Sequence, residues 1–147
     1  MHDYQWEFSN GQSLISSSAA HTISTNVVDL FGAASSIYKN AWGTAVTQKF
    51  LDAEPMLKLT IVVKTAMAGG KKTTVLYNHT AATSIHSGTA IISTSLPAST
   101  AAGYQLDFII PQTAISKRYL GIDYLTASGA ITAGAVSAWL GRPHETE

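Results

Sequence analysis

The chain has 147 residues, no cysteine, and nine Lys/Arg balanced by nine Asp/Glu, so its formal net charge is zero and only 12% of it is charged. That length suits one domain, 1–147, able to bury about 70% of the surface its unfolded form exposes. Disulfides, thiolate metal sites and a cysteine nucleophile are excluded; there is no basic field to bind nucleic acid and no apolar run of eighteen residues to span a membrane.

Residues 1–10 alternate Tyr4, Trp6 and Phe8 with polar neighbours and do not read as a secretory leader. They are expected to form an N-terminal arm. The arm either completes its own sheet or adds as a strand to a neighbour. Leu14–Ser18 and Ile23–Phe31 are weaker strand candidates. Residues 32–56 are long for a β–β connection and carry Tyr38, Trp42 and Phe50. Such a loop either folds its aromatics onto the domain's edge or protrudes as a contact arm.

From residue 57 the period-two signature of half-buried strands is clear. Leu57, Leu59, Ile61 and Val63 fall on one face, with Lys58, Thr60 and Lys64 on the other. Ala66–Gly70 breaks the pattern and reads as a turn, and residues 72–78 resume it with Thr73, Val75 and Tyr77 on one side, so the two runs predict a hairpin. Thr89–Ser95 is short and β-branched. Tyr104, Leu106, Phe108 and Ile110 alternate with polar residues until Pro111, which cannot donate to a ladder, ends the run. Residues 118–126 place Leu120, Ile122 and Tyr124 on one face, and Gly134–Leu140 alternates small residues with Val136, Ala138 and Leu140. The tail, 142–147, is polar and reads as flexible. About eight short antiparallel strands with no long amphipathic helix between them predict an all-β jelly roll or β-sandwich.

Searches for chemistry return little. His2, His21, His79, His86 and His144 show no metal-ligand spacing; His79 and His86 flank a loop and are the pair that a hairpin would bring together. No G-x-S-x-G elbow is present. Asp107 and Asp123 lie in predicted strands, where outward-facing carboxylates are the ordinary case and a facing glycosidase pair the rarer one. Gly69-Gly70-Lys71-Lys72-Thr73 lacks the first glycine and the helix of a phosphate loop. The expectation is therefore a non-enzyme with no cofactor and no metal.

Three pieces together carry a family pattern. Arg118-Tyr119-Leu120-Gly121-Ile122-Asp123-Tyr124 leads into Thr126-Ala127-Ser128-Gly129-Ala130-Ile131-Thr132-Ala133-Gly134 and then Ala135-Val136-Ser137-Ala138-Trp139-Leu140. Upstream stand Ser24-Thr25-Asn26-Val27-Val28-Asp29-Leu30 and Glu54-Pro55-Met56-Leu57. In this order they resemble the Bbp16-like phage capsid cement (decoration) proteins. The resemblance implies a jelly roll, no catalysis, self-association as a dimer or trimer, and binding to the major capsid protein on the outer surface of the virion. The connection between Asp29-Leu30 and Glu54-Pro55 is longer than the pattern, so no contact is carried over to 32–52. The sparse charge agrees in kind, because a Ser/Thr/Ala/Gly surface repels neighbours weakly and suits a protein covered by partners. The candidate interface residues are Tyr4, Trp6, Phe8, Tyr38 and Trp42. A carbohydrate- or receptor-binding jelly roll using Trp42 or Trp139 as an aromatic platform is the alternative.

Overall fold

The computed structural model describes residues 7–17, 20–29, 37–39, 45–47, 56–111, 114–115 and 117–141. The strands are β1 (Glu7–Ser13), β2 (Val28–Asp29), β3 (Ile37–Lys39), β4 (Ala45–Thr47), β5 (Met56–His79), β6 (Thr89–Leu96), β7 (Gln105–Pro111) and β8 (Tyr119–Gly141), with a short 3-10 turn at Ala82–Ser87. The fold is all-β and every pairing between named strands is antiparallel.

Four ribbons of similar length lie side by side. β5 and β8 pair along their whole course, from Lys58 opposite Gly141 to His79 opposite Tyr119. Beyond β5, β7 pairs with its first half and β6 with its second. Beyond β8, the chain from Glu7 to Asp29 runs the full length of the strand: β1 pairs near Trp139, single bridges follow at Ser16–Ile131 and Ile23–Asp123, and β2 pairs at Leu120. The long pair β5 and β8 is irregular midway along its course. Counted as half-strands, one layer is β1, the end of β8, the start of β5 and β7; the other is β2, the start of β8, the end of β5 and β6. That pairing order is the jelly-roll order.

The core confirms the two-layer reading. Leu57, Leu59, Ile61 and Val63 from one half of β5 join Leu76 from the other; Val136, Ala138 and Leu140 join Leu120, Ile122 and Tyr124 from the two halves of β8. All fall in one buried cluster with Phe8, Leu14, Leu96 and Ile110. Each such side chain contributes roughly 1.5–3 kcal/mol on leaving water, so the alternation seen in sequence is what holds the layers together.

One expected turn is not a turn. Ala66–Gly70 does not reverse the chain, and β5 continues through it; likewise β8 runs through the Gly-rich stretch 126–134. The reason is that these two irregular stretches lie against each other, with Gly69 opposite Ile131 and Lys71 opposite Ser128. Five register shifts crowd between Val63 and Lys72, and bulges sharpen twist and bend a strand without ending it. A Cβ on Gly69 would lie 2.2 Å from the Ala130 carbonyl oxygen, and one on Gly70 would lie 1.8 Å from that of Ser128. Only bare backbone fits where the ribbons turn the corner.

The long connection is also not wholly a loop. Within 32–56, β3 and β4 form a two-stranded hairpin with Tyr38 opposite Val46.

Candidate functional site

The segment between β1 and β2 is joined to β8 less by a ladder than by buried polar side chains. Lys72 is the centre of this seam. It follows the bend in β5, opposite Thr126 on one side and Leu96 on the other, and is 0% exposed. Its ammonium donates to Thr126 Oγ1 and Ser16 Oγ, both at 2.6 Å, and to the Tyr124 carbonyl at 3.0 Å, with Thr22 Oγ1 at 3.4 Å. Burial lowers its pKa from the ordinary 10.5, and the negative charge of Asp123 opposes that shift. The lysine thus pins the crossing segment at Ser16 and Thr22 to the two paired long strands. A deeper pin lies nearby. The Tyr124 hydroxyl, wholly buried, is 2.8 Å from Ser9 Oγ, and Ser9 donates to Gln12 Oε1. Loss of solvent pushes the phenol's pKa strongly upward, while the Ser9 hydrogen bond opposes the shift.

A second cluster sits around Asp123, which is 1% exposed. One carboxylate oxygen is 2.6 Å from His21 Nδ1; the other has no hydrogen-bond partner. The 3-10 turn roofs this spot. Ile85 is buried against Gly121, where a Cβ would meet Ile85 Cγ1 at 2.6 Å, and the next residue, His86, lies over His21 with ring centroids 5.0 Å apart. His79 is occupied elsewhere: its Nδ1 accepts the Ala81 N–H at 2.7 Å and its Nε2 is 3.2 Å from Ser87 Oγ. The histidine pairing is therefore His21 with His86, not His79 with His86. Asp107 is on the other half of the sheet, exposed beside Thr60 and Gln105.

Residues that carry the family pattern meet one another. The Ser24 N–H donates to the Ile122 carbonyl, and its hydroxyl accepts the Ile122 N–H and donates to the Asn26 carbonyl. Arg118 holds Asp29 with two bonds of 2.9 Å, Nε to Oδ1 and Nη2 to Oδ2, and its guanidinium lies 5.0 Å from the Tyr119 ring centre. This fork locks β2 to the start of β8. These pattern residues act inside the fold.

The candidate interface residues are scattered by the structure. Phe8 is a correction: it is 0% exposed, in the common core, on a strand paired to β8. The arm from Glu7 onward completes its own sheet, because the end of β8 would otherwise present a bare edge. Tyr38 belongs to β3. Tyr4, Trp6 and Trp42 lie outside the described residues, as does the tail 142–147. Trp139 is half-buried in β8 between Glu7 and Thr60, within the sheet.

Two edges remain. β7 pairs with β5 among the described strands and carries Asp107 and a terminal Pro111, both of which discourage further pairing. β6 also pairs with β5 alone among the described residues, and its sequence, Thr-Ala-Ile-Ile-Ser-Thr-Ser-Leu, holds no charge and no proline. Ile15, Tyr104 and Ile109 are the large apolar side chains exposed among the described residues. No helix among them is long and apolar enough to cross a membrane.

No curated protein matches the chain. The model of the Bbp16 family matches residues 8–140, which run from the buried Phe8 to Leu140 near the end of β8 and so take in both layers of the jelly roll. By that match the chain belongs to the Bbp16 family.

Proposed function

We propose that this chain is a capsid cement (decoration) protein, a non-catalytic part of a phage virion that binds the outer surface of the major capsid protein lattice and stabilises the head by bridging capsomers. The observation that carries the reading is the β6 edge: eight residues without charge or proline, paired on one side only among the described residues. A free protein normally blunts such an edge. A protein that lives among neighbours can use it for strand addition. The sparse, balanced charge of the whole chain supports the same reading.

Repetition gives such a protein its strength. Two or three copies joined about a symmetry axis engage the lattice together, and each contact after the first is effectively intramolecular. Binding to the assembled shell and not to dispersed subunits stabilises the shell by mass action. The test is a stained gel of purified heads alongside rupture curves for heads with and without the protein. A band at this mass near equimolar with the major capsid protein, and rupture at lower temperature when it is missing, are expected. Absence from purified heads, or coincident rupture curves, overturns the proposal.

A further inference from the structure

We propose that His21 and His86 form a two-histidine site for a divalent transition-metal ion such as Zn²⁺, with Asp123 holding His21 in place from behind. His21 Nδ1 is 2.6 Å from the Asp123 carboxylate. With the proton on Nδ1, as that contact requires, Nε2 carries a free lone pair. A buried carboxylate behind a histidine that points its other nitrogen outward is the usual support for a metal-binding imidazole. His21 is 49% exposed while Asp123 is 1% exposed, so the pair is anchored inside and open outside.

The second ligand is equally well placed. His86 is exposed, and its contact is the His21 ring, centroid to centroid at 5.0 Å with the planes tilted by 33°. A zinc–nitrogen bond of about 2.0–2.1 Å puts each imidazole centre roughly 3.2 Å from the metal, so two rings at a tetrahedral angle have centres about 5.2 Å apart. The observed spacing already meets that requirement. Ile85, buried on Gly121 two residues before Asp123, fixes the turn that presents His86. Both ligands are therefore held by packed elements before any ion arrives, which lowers the ordering cost of binding. Asp123 keeps one buried oxygen without a hydrogen-bond partner, so His21 does not use up the carboxylate, whose charge is shared with the buried Lys72 ammonium. No group of three or more His, Cys, Asp or Glu among the described residues is gathered for a metal. The protein thus supplies two ligands here, and water completes the coordination.

The test is calorimetric titration of the untagged full chain with ZnCl₂ near neutral pH, followed by the visible spectrum with CoCl₂. One ion per chain is expected, with tetrahedral Co²⁺ bands. His21→Ala and His86→Ala should each weaken binding at least tenfold, and Asp123→Asn by about 10–100-fold. His79→Ala and the double variant His2→Ala/His144→Ala should leave it unchanged. Far-UV circular dichroism of each variant checks that the fold is retained. No heat on titration, or binding that survives both His21→Ala and His86→Ala in folded protein, overturns the proposal. So does binding that is lost with His79→Ala or with the terminal pair.

Discussion

Replacing Gly70 by Ala tests the crossing of the two long strands directly. The new methyl would lie 1.8 Å from the Ser128 carbonyl oxygen and 2.4 Å from that of Gly129. Both obstacles are backbone, so no rotamer change relieves them; a strand must move by more than an ångström and break its pairing at the bend. Overpacking of this kind destabilises by about 1–3 kcal/mol, and the lost cross-strand bonds add roughly 1 kcal/mol. For a domain of this size, a loss of about 2–4 kcal/mol lowers Tm by roughly 10 °C. Gly70 is not among the glycines with positive φ, so its penalty is purely steric. Gly103→Ala is the control: its φ is +90° and nothing lies within 4 Å of the added Cβ, leaving only a conformational penalty of about 1–2 kcal/mol. Thermal melts followed by circular dichroism should therefore rank Gly70→Ala well below Gly103→Ala. If residues 66–70 formed an exposed hairpin tip, the two variants would be equally mild, and that result would refute the continuous β5.

Four further outcomes follow from the same contacts. Phe8→Ala should destabilise the isolated protein by about 3–5 kcal/mol, as expected for a core aromatic; a melt unchanged from wild type would return Phe8 to a detached arm. Lys72 holds its proton less tightly when folded than when unfolded, so stability should rise with pH between its lowered folded value and 10.5. The buried Tyr124, whose pKa is raised, pulls the other way once unfolded tyrosine ionises near its ordinary 10.0, so the measurement is the difference in denaturant midpoints between wild type and Lys72→Met; a difference that does not vary with pH would contradict the buried ammonium. A double-mutant cycle on Asp29→Ala and Arg118→Ala should give a small favourable coupling that shrinks as salt is raised, and Arg118→Lys should recover less than half of it because the fork is lost. Ser93→Lys/Ser95→Lys, both at exposed positions of β6, should change stability by no more than about 1 kcal/mol in sum while lowering occupancy of heads at least tenfold; undiminished occupancy would remove β6 from the interface.

Much of the sheet was legible because period two is a direct image of burial. Leu57, Leu59, Ile61 and Val63 are all buried, as are Leu120, Ile122 and Tyr124. Pro111 ends β7 as its missing donor requires. What misled was glycine. A Gly-Gly pair flanked by alternating residues reads locally as a reversal, yet Gly69 and Gly70 are needed because Ser128–Ala130 press against them, a contact some sixty residues away along the chain. The polar seam was hidden for a related reason. Lys71-Lys72 reads as a charged turn, but with β5 continuous Lys72 falls on the same face as Thr74 and Leu76, which points inward. The alternation could not carry that signal: Leu57 to Val63 set odd-numbered positions inward, and the register shifts between Val63 and Lys72 move the inward face to even-numbered ones. Asp123 had no local signal either, since its partner His21, and Ile85, which packs on the neighbouring Gly121, come from distant segments.

Under the proposed function, the fold and the recognition of a partner would rest on different residues. Ser24, Asp29 and Arg118, which carry the family pattern, are used up in joining β2 to β8. Lys72 and Tyr124 are used up at the seam and in the core. A side chain whose bonding capacity is met inside its own domain has little left for a partner. The pattern thus specifies how the jelly roll closes, and under the proposed function recognition would fall to backbone and small side chains that the closing leaves over, foremost the β6 edge. On this view, exchanging the exposed residues of β6 between family members should transfer capsid preference while leaving the melting curve in place. Exchanging Asp29 together with Arg118 should do the reverse.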